Sequence, residues 1–464
     1  MFDTISGLIP RDPDYPARVW RLDVLERVLA GALYDVLPHA FTDERGAGGE
    51  YIPLRQRRPS VRYNLARVVV DDSVSLVFSE GHFPTFDCED AAARDAMRDI
   101  VAEGQLNQVM LDAVLRGSVG SVALLMRVLG GRVFFSSLRT KFLTPRWRDD
   151  APDELVSVTE RYKVPGADLI AQGYEDLNPA TEYWFMRRWD TEREVRYLPW
   201  PVRGYSQGPI EDPANTTIHG LGFVPLVWIR NLPGGEGDDG ACTFQAAIEI
   251  MIEIDYQLSQ AGRGLKYSSD PTLLIKEPAG FEGTMTKGGG NALIVSEKGD
   301  AKLLEIGGTA AQAVIEYVRT LRELALESVH GNRASPERLS AAQSGRAMEM
   351  MNQGLLWLAD NLRVSYGNGL LRLARMIAAA STRFPLKTFG AAAPPIDPAT
   401  RWTLKWPRFH MPVAEDRERD ARTLATLQAS GQISRLTAVK SIADVYDISN
   451  VAAEMERIAE EAKA

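Results

Sequence analysis

The alternation of apolar and polar positions between residues 239 and 383 predicts a run of helices interrupted by one short β-structured insert. In residues 241–267 a polar stripe recurs at helical spacing, and most other positions are apolar. The stripe consists of Gln245, Glu249, Glu253, Tyr256 and Gln260. A helix that is apolar over most of its circumference must be covered on most sides, so we expect this one to pack against several neighbours.

Residues 268–308 predict the β-structured insert, and the segments after it predict two further helices. Prolines and glycines divide the insert into short runs of strand character, at 272–276 and 292–295. A second helix is predicted over 309–331, because an apolar side and a polar stripe again alternate there. Two helices joined by a β-insert predict a protruding stalk.

A polar loop, residues 332–345, separates the stalk from a long helix that extends to residue 383, where apolar positions recur at steps of three and four. A single copy offers too little surface to cover the first stalk helix on all sides. We therefore expect a ring of copies in which each helix packs on its neighbours.

The flanking regions predict a mixed α and β domain before the stalk and a helical domain at the end. Helices are predicted over 16–37, 61–78 and 91–115, although the β-branched residues of 61–78 also permit a strand. Residues 121–227 predict a hairpin followed by an antiparallel sheet. The chain after residue 414 predicts helices, with Ser434 as an N-cap.

Composition excludes several classes of protein. The 464 residues carry a formal net charge of −9, which argues against a general nucleic-acid binder with a basic surface. Two distant cysteines, Cys88 and Cys242, exclude a disulfide framework and suit a reducing cytoplasm. The first residues lack the pattern of a signal peptide, and no apolar run reaches the length of a membrane span.

Candidate catalytic and metal-binding patterns are weak. The five histidines are scattered, and neither they nor the cysteines have the spacing of zinc ligands. Asp71 and Asp72 follow an apolar run as in an ATPase, but the chain lacks the glycine-rich loop that ends in Gly-Lys-Ser/Thr. We expect no ATP hydrolysis and no cofactor. The acidic, glycine-rich residues 234–240 predict a solvated hinge before the stalk.

Several motifs, in this order along the chain, resemble the portal proteins of tailed double-stranded-DNA bacteriophages. The order of helix, insert, helix, loop and long helix is the first of them. The others are YNLARVVVD at 63–71, FSEG at 78–81, GFVPLV at 222–227 leading to Asn231, SGRAM at 344–348, and GQIS at 431–434. Together they extend over nearly the whole chain.

The resemblance implies an α+β portal fold with a mixed wing, a two-helix stem, a small β clip, a long wing helix after a tunnel loop, and a helical crown. The implied boundaries are 1–238 for the wing, 239–267 and 309–331 for the stem helices, 268–308 for the clip, 332–345 for the tunnel loop, 346–412 for the long helix and return strand, and 413–464 for the crown. It also implies a dodecameric ring, without catalytic residues, at one capsid vertex. Double-stranded DNA would pass through this ring during packaging and ejection.

The resemblance also implies partners and site residues. The partners are the terminase large subunit, the head–tail adaptor, and the major capsid and scaffolding proteins, with no membrane. Arg333, Arg338 and Arg346 would meet DNA phosphates in the channel, and Glu249 and Glu253 would face it. The residues Lys276, Lys287 and Lys298 would dock the motor or adaptor at the clip. Two alternatives remain open: a viral structural or scaffold-type protein without a channel, and a nucleic-acid translocase ring.

Overall fold

The computed structural model of the chain describes residues 1–204, 208–269, 272–278, 295–304, 309–331, 352–409, 414–443, 446, 448 and 451–461. The helices in this part of the chain are α1 Phe2–Ser6, α2 Ala17–Leu29, α3 Leu65–Phe78, α4 Ala91–Glu103, α5 Leu106–Gly117, α6 Gly166–Ala171, α7 Ile248–Ser269, α8 Thr309–Ser328, α9 Gln353–Arg383, α10 Ala414–Ala429, α11 Arg435–Ile442 and α12 Val451–Glu461.

The strands form several antiparallel sheets. Their bounds are β1 Thr85–Asp87, β2 Ser121–Leu129, β3 Arg132–Arg139, β4 Leu143–Trp147, β5 Leu155–Pro165, β6 Glu182–Trp189, β7 Arg193–Arg196, β8 Trp200–Pro201, β9 Thr217–Ile218, β10 Leu226–Arg230, β11 Thr272–Pro278, β12 Val295–Leu304, β13 Lys387–Thr388, β14 Ala391–Ala392 and β15 Thr403–Lys405. One sheet has the strand order β10-β2-β3. A second sheet has the order β4-β5-β6-β7-β9, and β8 pairs with β6 in it. Three further pairs are β1 with β15, β11 with β12, and β13 with β14.

The chain divides into two compact units. The first comprises Met1–Val69 and Phe244–Val329, and the second comprises Val70–Thr243 and His330–Ala464. In the first unit α7 packs against α8 and α1. The apolar side chains Ile248, Ile252 and Ile254 of α7 are at most 2% exposed. This burial corrects the argument that a single copy could not cover the first stalk helix, because the chain's own residues cover these positions.

In the second unit a core forms from side chains of the two larger sheets. It contains Ala123 and Leu125 of β2, Leu143 of β4, Val158 of β5, Trp189 of β6, and Val224, Leu226 and Trp228 in and beside β10. The long helix α9 packs on β10. A Cβ atom on Gly369 would lie 2.4 Å from Cδ1 of Ile229, so glycine permits this close approach.

Asn231 joins several parts of the second unit. It follows β10, is 0% exposed, and accepts at Oδ1 from the hydroxyl of Tyr366 in α9 (3.2 Å). Its Nδ2 donates to the carbonyl of Ala241 and to Oγ1 of Thr243, both at 2.9 Å, and its backbone N–H donates to the carbonyl of Gly120. The motif that leads to Asn231 therefore has a structural explanation in this buried set of hydrogen bonds.

The same neighbourhood overturns two predictions. The first stalk helix begins at Ile248 rather than at 241, because the backbone N–H groups of Gly240 and Thr243 donate to carbonyls of the α5–β2 connection. Residues 234–240 are not a solvated hinge throughout. The Asp239 carboxylate is buried and accepts from the hydroxyl of Ser121 (2.6 Å), and that of Asp238 accepts from Nε1 of Trp147 (2.7 Å).

Other predicted elements differ mainly in their bounds. The helix predicted over 16–37 ends at Leu29, and Gly31 adopts a φ of +71° just after it. The helix predicted over 91–115 is two helices, because Gln105 adopts a left-handed conformation between α4 and α5. Residues 61–78 are helical from Leu65 onward, which excludes the strand alternative. The strand of the second run is Val295–Leu304, which includes Val295 of the predicted run, and residues 292–294 lie outside the described residues.

The other predicted helices and strands that fall on described residues are confirmed. The hairpin of β2 and β3, the antiparallel sheet, the helix predicted over 309–331 (α8) and the long helix (α9) are present, although the described part of the long helix begins at Gln353. Ser434 caps α11, since its Oγ accepts from the backbone N–H of Thr437 (3.1 Å).

Replacement of Tyr366 by phenylalanine tests the importance of the Asn231 hydrogen bonds. Tyr366→Phe leaves Oδ1 of Asn231 unpaired in a site without water access, so we expect the free energy of unfolding to fall by about 1–3 kcal/mol. Urea denaturation measures the change. The control Tyr446→Phe removes a hydroxyl from a side chain that is 53% exposed, and we expect a change within about 0.5 kcal/mol. Equal losses of unfolding free energy in Tyr366→Phe and Tyr446→Phe would show that the Tyr366–Asn231 hydrogen bond does not have this effect on stability.

Candidate functional site

The outer face of α7 carries the acidic stripe that the sequence predicted. Glu249 is exposed and Glu253 is half-buried, and Gln257 Nε2 donates to Glu253 Oε1 at 2.7 Å. Gln260 is exposed on the same side. Tyr256 does not belong to this stripe, because its side chain is only 2% exposed. The predicted polar face is therefore narrower than expected, and its charge comes from two glutamates.

Glu249 is not an isolated charge. Its carboxylate accepts from the backbone N–H of Phe2 (3.0 Å) and forms an ion pair with the α-amino group of Met1 (3.0 Å). The Glu249 side chain is 56% exposed, so this ion pair contributes little to stability. The ion pair instead fixes the position of α1 against the first turn of α7.

The inner face of α7 contains polar side chains that are buried. Asp255 accepts from the hydroxyl of Tyr34 and from the backbone N–H of Tyr63, both at 2.8 Å. Ser259, one turn later, accepts from the backbone N–H of Val61 (2.9 Å) and donates to the carbonyl of Asp255 (2.7 Å). Because residues four apart lie on one helix face, α7 binds the segment before α3 through two adjacent polar side chains.

Burial dominates the electrostatics of this inner face. It raises the pKa of the Asp255 carboxyl, against the opposing effect of the hydrogen bonds from Tyr63 and Tyr34 and the charge of Arg62. Burial and then the Asp255 charge raise the pKa of the Tyr34 hydroxyl. Burial also raises the pKa of Tyr256 to about 12. The tyrosines are therefore neutral donors at physiological pH, and Asp255 is a carboxylate held without a direct cationic partner among the described residues.

Arg57 completes the polar attachment of α7 to the N-terminal segments. Its side chain is 2% exposed, and its carbonyl accepts from the hydroxyl of Tyr256 (2.8 Å). The guanidinium donates to the carbonyl of Phe41 (3.2 Å) and to the hydroxyl of Tyr51 (3.1 Å), and it lies over both rings. A buried charge that makes such contacts fixes the loop before α3 against the helix.

Sequence reasoning missed Asp255, Ser259 and Arg57. A signal for the first two was present, because an aspartate and a serine four residues apart interrupt the apolar side of the predicted helix. Arg57 gave no such signal, since it lies in a loop with several other arginines. Asn64 in the first motif also has a structural explanation: it adopts a φ of 42° before α3, and its Nδ2 donates to the carbonyl of Leu29 (3.0 Å).

Helix α8 leaves large apolar side chains in water. Leu321, Ala325 and Leu326 are buried, whereas Ile315, Tyr317 and Leu324 are between 46% and 48% exposed. Tyr317 and Leu324 are seven residues apart and therefore lie on one face, two turns from each other. This face is apolar and unpartnered within the described part of the protomer.

Among the predicted site residues that the structure describes, Glu249 and Glu253 lie four residues apart on α7. Lys276 lies in β11 and Lys298 lies in β12, on paired strands. Lys287, Arg333, Arg338 and Arg346 lie outside the described residues, as does the predicted tunnel loop 332–345. Within the described ranges, no group of three or more histidine, cysteine, aspartate or glutamate side chains could hold a metal ion. In the same ranges no helix combines the length and the apolar character needed to cross a membrane.

Comparisons with known proteins identify relatives of the chain. The family model described as phage portal protein, SPP1 Gp6-like, matches residues 12–464. No curated protein matches significantly. A solved structure described as the virion of a native gene transfer agent particle is similar at 12% identity and a TM-score of 0.42, and the neck of an empty gene transfer agent particle is similar at 11% and 0.42. Each match covers 81% of this chain and 88% of that chain.

The buried Asp255 carboxyl predicts a specific dependence of stability on pH. Its pKa is raised above the ordinary 3.8, so the folded protein holds this proton more tightly than the unfolded chain does. The resulting stabilisation is present below pH 3.8 and is lost as the pH rises through the raised pKa. Asp255→Asn keeps an acceptor for Tyr63 and cannot ionise, so we expect its unfolding free energy to fall less over this window.

Chemical denaturation at several pH values measures the difference between the two proteins. Asp153→Asn is the matched control, because it makes the same substitution at a side chain that is 70% exposed. Parallel curves for the wild type and Asp255→Asn would show that Asp255 is not the group responsible.

Proposed function

We propose, because the chain belongs to the SPP1 Gp6-like family of phage portal proteins, that it forms a closed ring at one capsid vertex through which double-stranded DNA passes. The family is structural rather than enzymatic, and the ring needs no catalytic residue or cofactor. DNA would be packaged and later ejected through the central channel. The ring closes when one interface repeats around an axis, as in other symmetric homo-oligomers.

The exposed apolar face of α8 is the observation that supports ring formation most directly. Tyr317 and Leu324 lie on one face of α8 and are each 48% exposed, although Leu321 and Ala325 nearby are buried. Contiguous exposed apolar surface marks a contact with another molecule more often than a free surface. The α7 and α8 pair then acts as a stem, and α8 of one copy packs on the stem of the next.

The acidic stripe of α7 suits the wall of a channel. Glu249 and Glu253 would face the passing DNA together with Gln257 and Gln260, and a negative wall does not retain phosphates. We propose that the tunnel loop 332–345 follows this wall, where Arg333 and Arg338, with Arg346 beside the loop, contact the phosphates. Individual contacts at exposed sites contribute about 1 kcal/mol or less, which permits the DNA to slide.

The strands β11 and β12 belong to the proposed clip. They join α7 to α8, so a clip at the tip of the stem would be the surface that other proteins reach first. Lys276, Lys287 and Lys298 would contribute charge to the docking of the terminase large subunit and later of the head–tail adaptor. The major capsid and scaffolding proteins would contact the ring during assembly of the head.

Charged substitutions on the exposed face of α8 test ring formation. Tyr317→Glu combined with Leu324→Glu introduces charges that would be buried without partners between copies, so we expect monomers in place of rings. Light scattering measures the mass, and negative-stain images show whether rings with a central hole are present. The control Ile170→Glu alters an apolar side chain that is 42% exposed on α6, and we expect rings from it. Normal rings from the double variant would exclude this face as the interface.

Substitutions of Arg333 and Arg338 test the channel. We expect Arg333→Ala with Arg338→Ala to assemble normally, because neither change affects the α8 face. The number of filled heads should fall relative to empty heads, since the loop would lose its contacts to phosphates. Arg435→Ala removes an exposed charge from α11 and serves as the control. A double variant that fills heads at the rate of the wild type would leave the arginines with no role in DNA passage.

A further inference from the structure

The sheet of the second unit separates its charges between its two faces. In the register of β5 and β6, Glu160 lies opposite Arg187, and these side chains form an ion pair. Their face also carries Val158 and Trp189, which belong to the core. Since side chains alternate across a strand, the residues between them point to the other face.

That other face is basic over three adjacent strands. Arg146 of β4 lies opposite Ser157, Arg161 and Lys163 lie on β5, and Arg188 of β6 lies opposite Thr159. Glu182, at the end of β6, is the only acidic residue that these three strands place on this face. We name Arg146, Arg161, Lys163 and Arg188 the wing cation row.

Trp184 positions two cations of this row. The guanidinium carbon of Arg161 lies 4.6 Å from the centroid of the Trp184 ring, and Nζ of Lys163 lies 5.3 Å from it. Arg146 and Arg161 are exposed, and neither forms an ion pair with any carboxylate that the structure describes. Arg188 has Asp190 at 3.8 Å. An aromatic ring that positions two cations lowers the entropy lost when they bind an anion.

Hydroxyl groups lie between the cations. Thr144 of β4 and Thr159 of β5 lie opposite each other, and Ser157 lies opposite Arg146, all on the basic face. Serine and threonine hydroxyls commonly donate to phosphate oxygens alongside arginine and lysine. Side chains two residues apart on one strand are about 6.6 Å apart, so the face presents donors at regular intervals.

We propose that the wing cation row binds the phosphate backbone of duplex DNA outside the channel. A row of cations and hydroxyls on the face of a sheet fits an evenly charged backbone, which needs no pocket for a side chain. DNA carries one negative charge per about 1.7 Å of its axis, so several phosphates meet the row at once. The net charge of −9 does not prevent this, because charges beyond about 8 Å are largely screened at physiological salt.

A closed circular duplex distinguishes this surface from the channel, because a closed circle cannot thread a ring that has already assembled. Binding of the assembled protein to a relaxed circular plasmid is measured by sedimentation between 50 and 200 mM salt (about the range over which phosphate contacts are lost). We expect salt-dependent binding by the wild type. Arg146→Ala with Arg161→Ala should lower the slope of log affinity against log salt by about 0.9 for each arginine.

Arg148→Ala is the matched control. Arg148 lies two residues beyond Arg146 and is also exposed, but its guanidinium is already paired with Asp150 (2.7 Å) and Glu154 (2.6 Å). We expect the Arg148→Ala variant to have the plasmid affinity of the wild type and the same slope of log affinity against log salt. Equal effects of the control and the double variant would overturn the proposal, and so would absence of plasmid binding by the wild type at 50 mM salt (about the lower limit used for such contacts).

An acidic protein partner is the competing occupant. To distinguish DNA from an acidic protein as the ligand of the row, polyglutamate with the same total charge as the plasmid is added to the plasmid complex. We expect it to displace the plasmid only at a large excess of charge. Displacement at equal charge, with the same loss in the Arg146→Ala, Arg161→Ala variant, would assign the row to an acidic polypeptide and overturn the DNA proposal.

Discussion

Asn231 supplies the constraint on which the second unit depends, because a carboxamide sealed from water must satisfy its donors and acceptor inside the protein. It does so with Tyr366 of α9 and with Ala241 and Thr243 just before α7. Removal of any partner leaves a polar atom buried and unpaired, at a cost of about 1–3 kcal/mol. One side chain thus joins the long helix α9 to residues 241–243.

In the first unit, too, a buried polar side chain must find its hydrogen-bond partners inside the protein. Asp255 is a buried carboxylate that receives two hydrogen bonds, and Ser259 receives another, so α7 is fixed to the N-terminal segments by polar contacts within an apolar surface. Such contacts specify one register of the helix, because any rotation would leave Asp255 without its donors. The outer face of α7 then presents Glu249 and Glu253 in a defined direction.

Two surfaces in the described part of the chain are proposed to contact other molecules, and they differ in chemistry. The α8 face around Tyr317 and Leu324 is apolar and suits a second copy of the chain, because burial of apolar area drives association. The wing cation row is charged and suits a polyanion, because phosphates exchange counterions for arginine and lysine. Apolar contacts would hold the ring together, while weak and salt-dependent contacts would let DNA move against it.

The sequence by itself determined the presence of the helices α7, α8 and α9, the hairpin of β2 and β3, the Ser434 cap and the two glutamates on one face of α7, because these follow from local periodicity and capping. It did not determine where α7 begins, since Gly240 and Thr243 pair with distant backbone carbonyls. It also could not place Arg57 or Asp239 in the interior, because burial of a charge depends on partners far along the chain. Only tertiary structure decided these points: sequence spacing encodes which face of an element is apolar, but not which partner covers it.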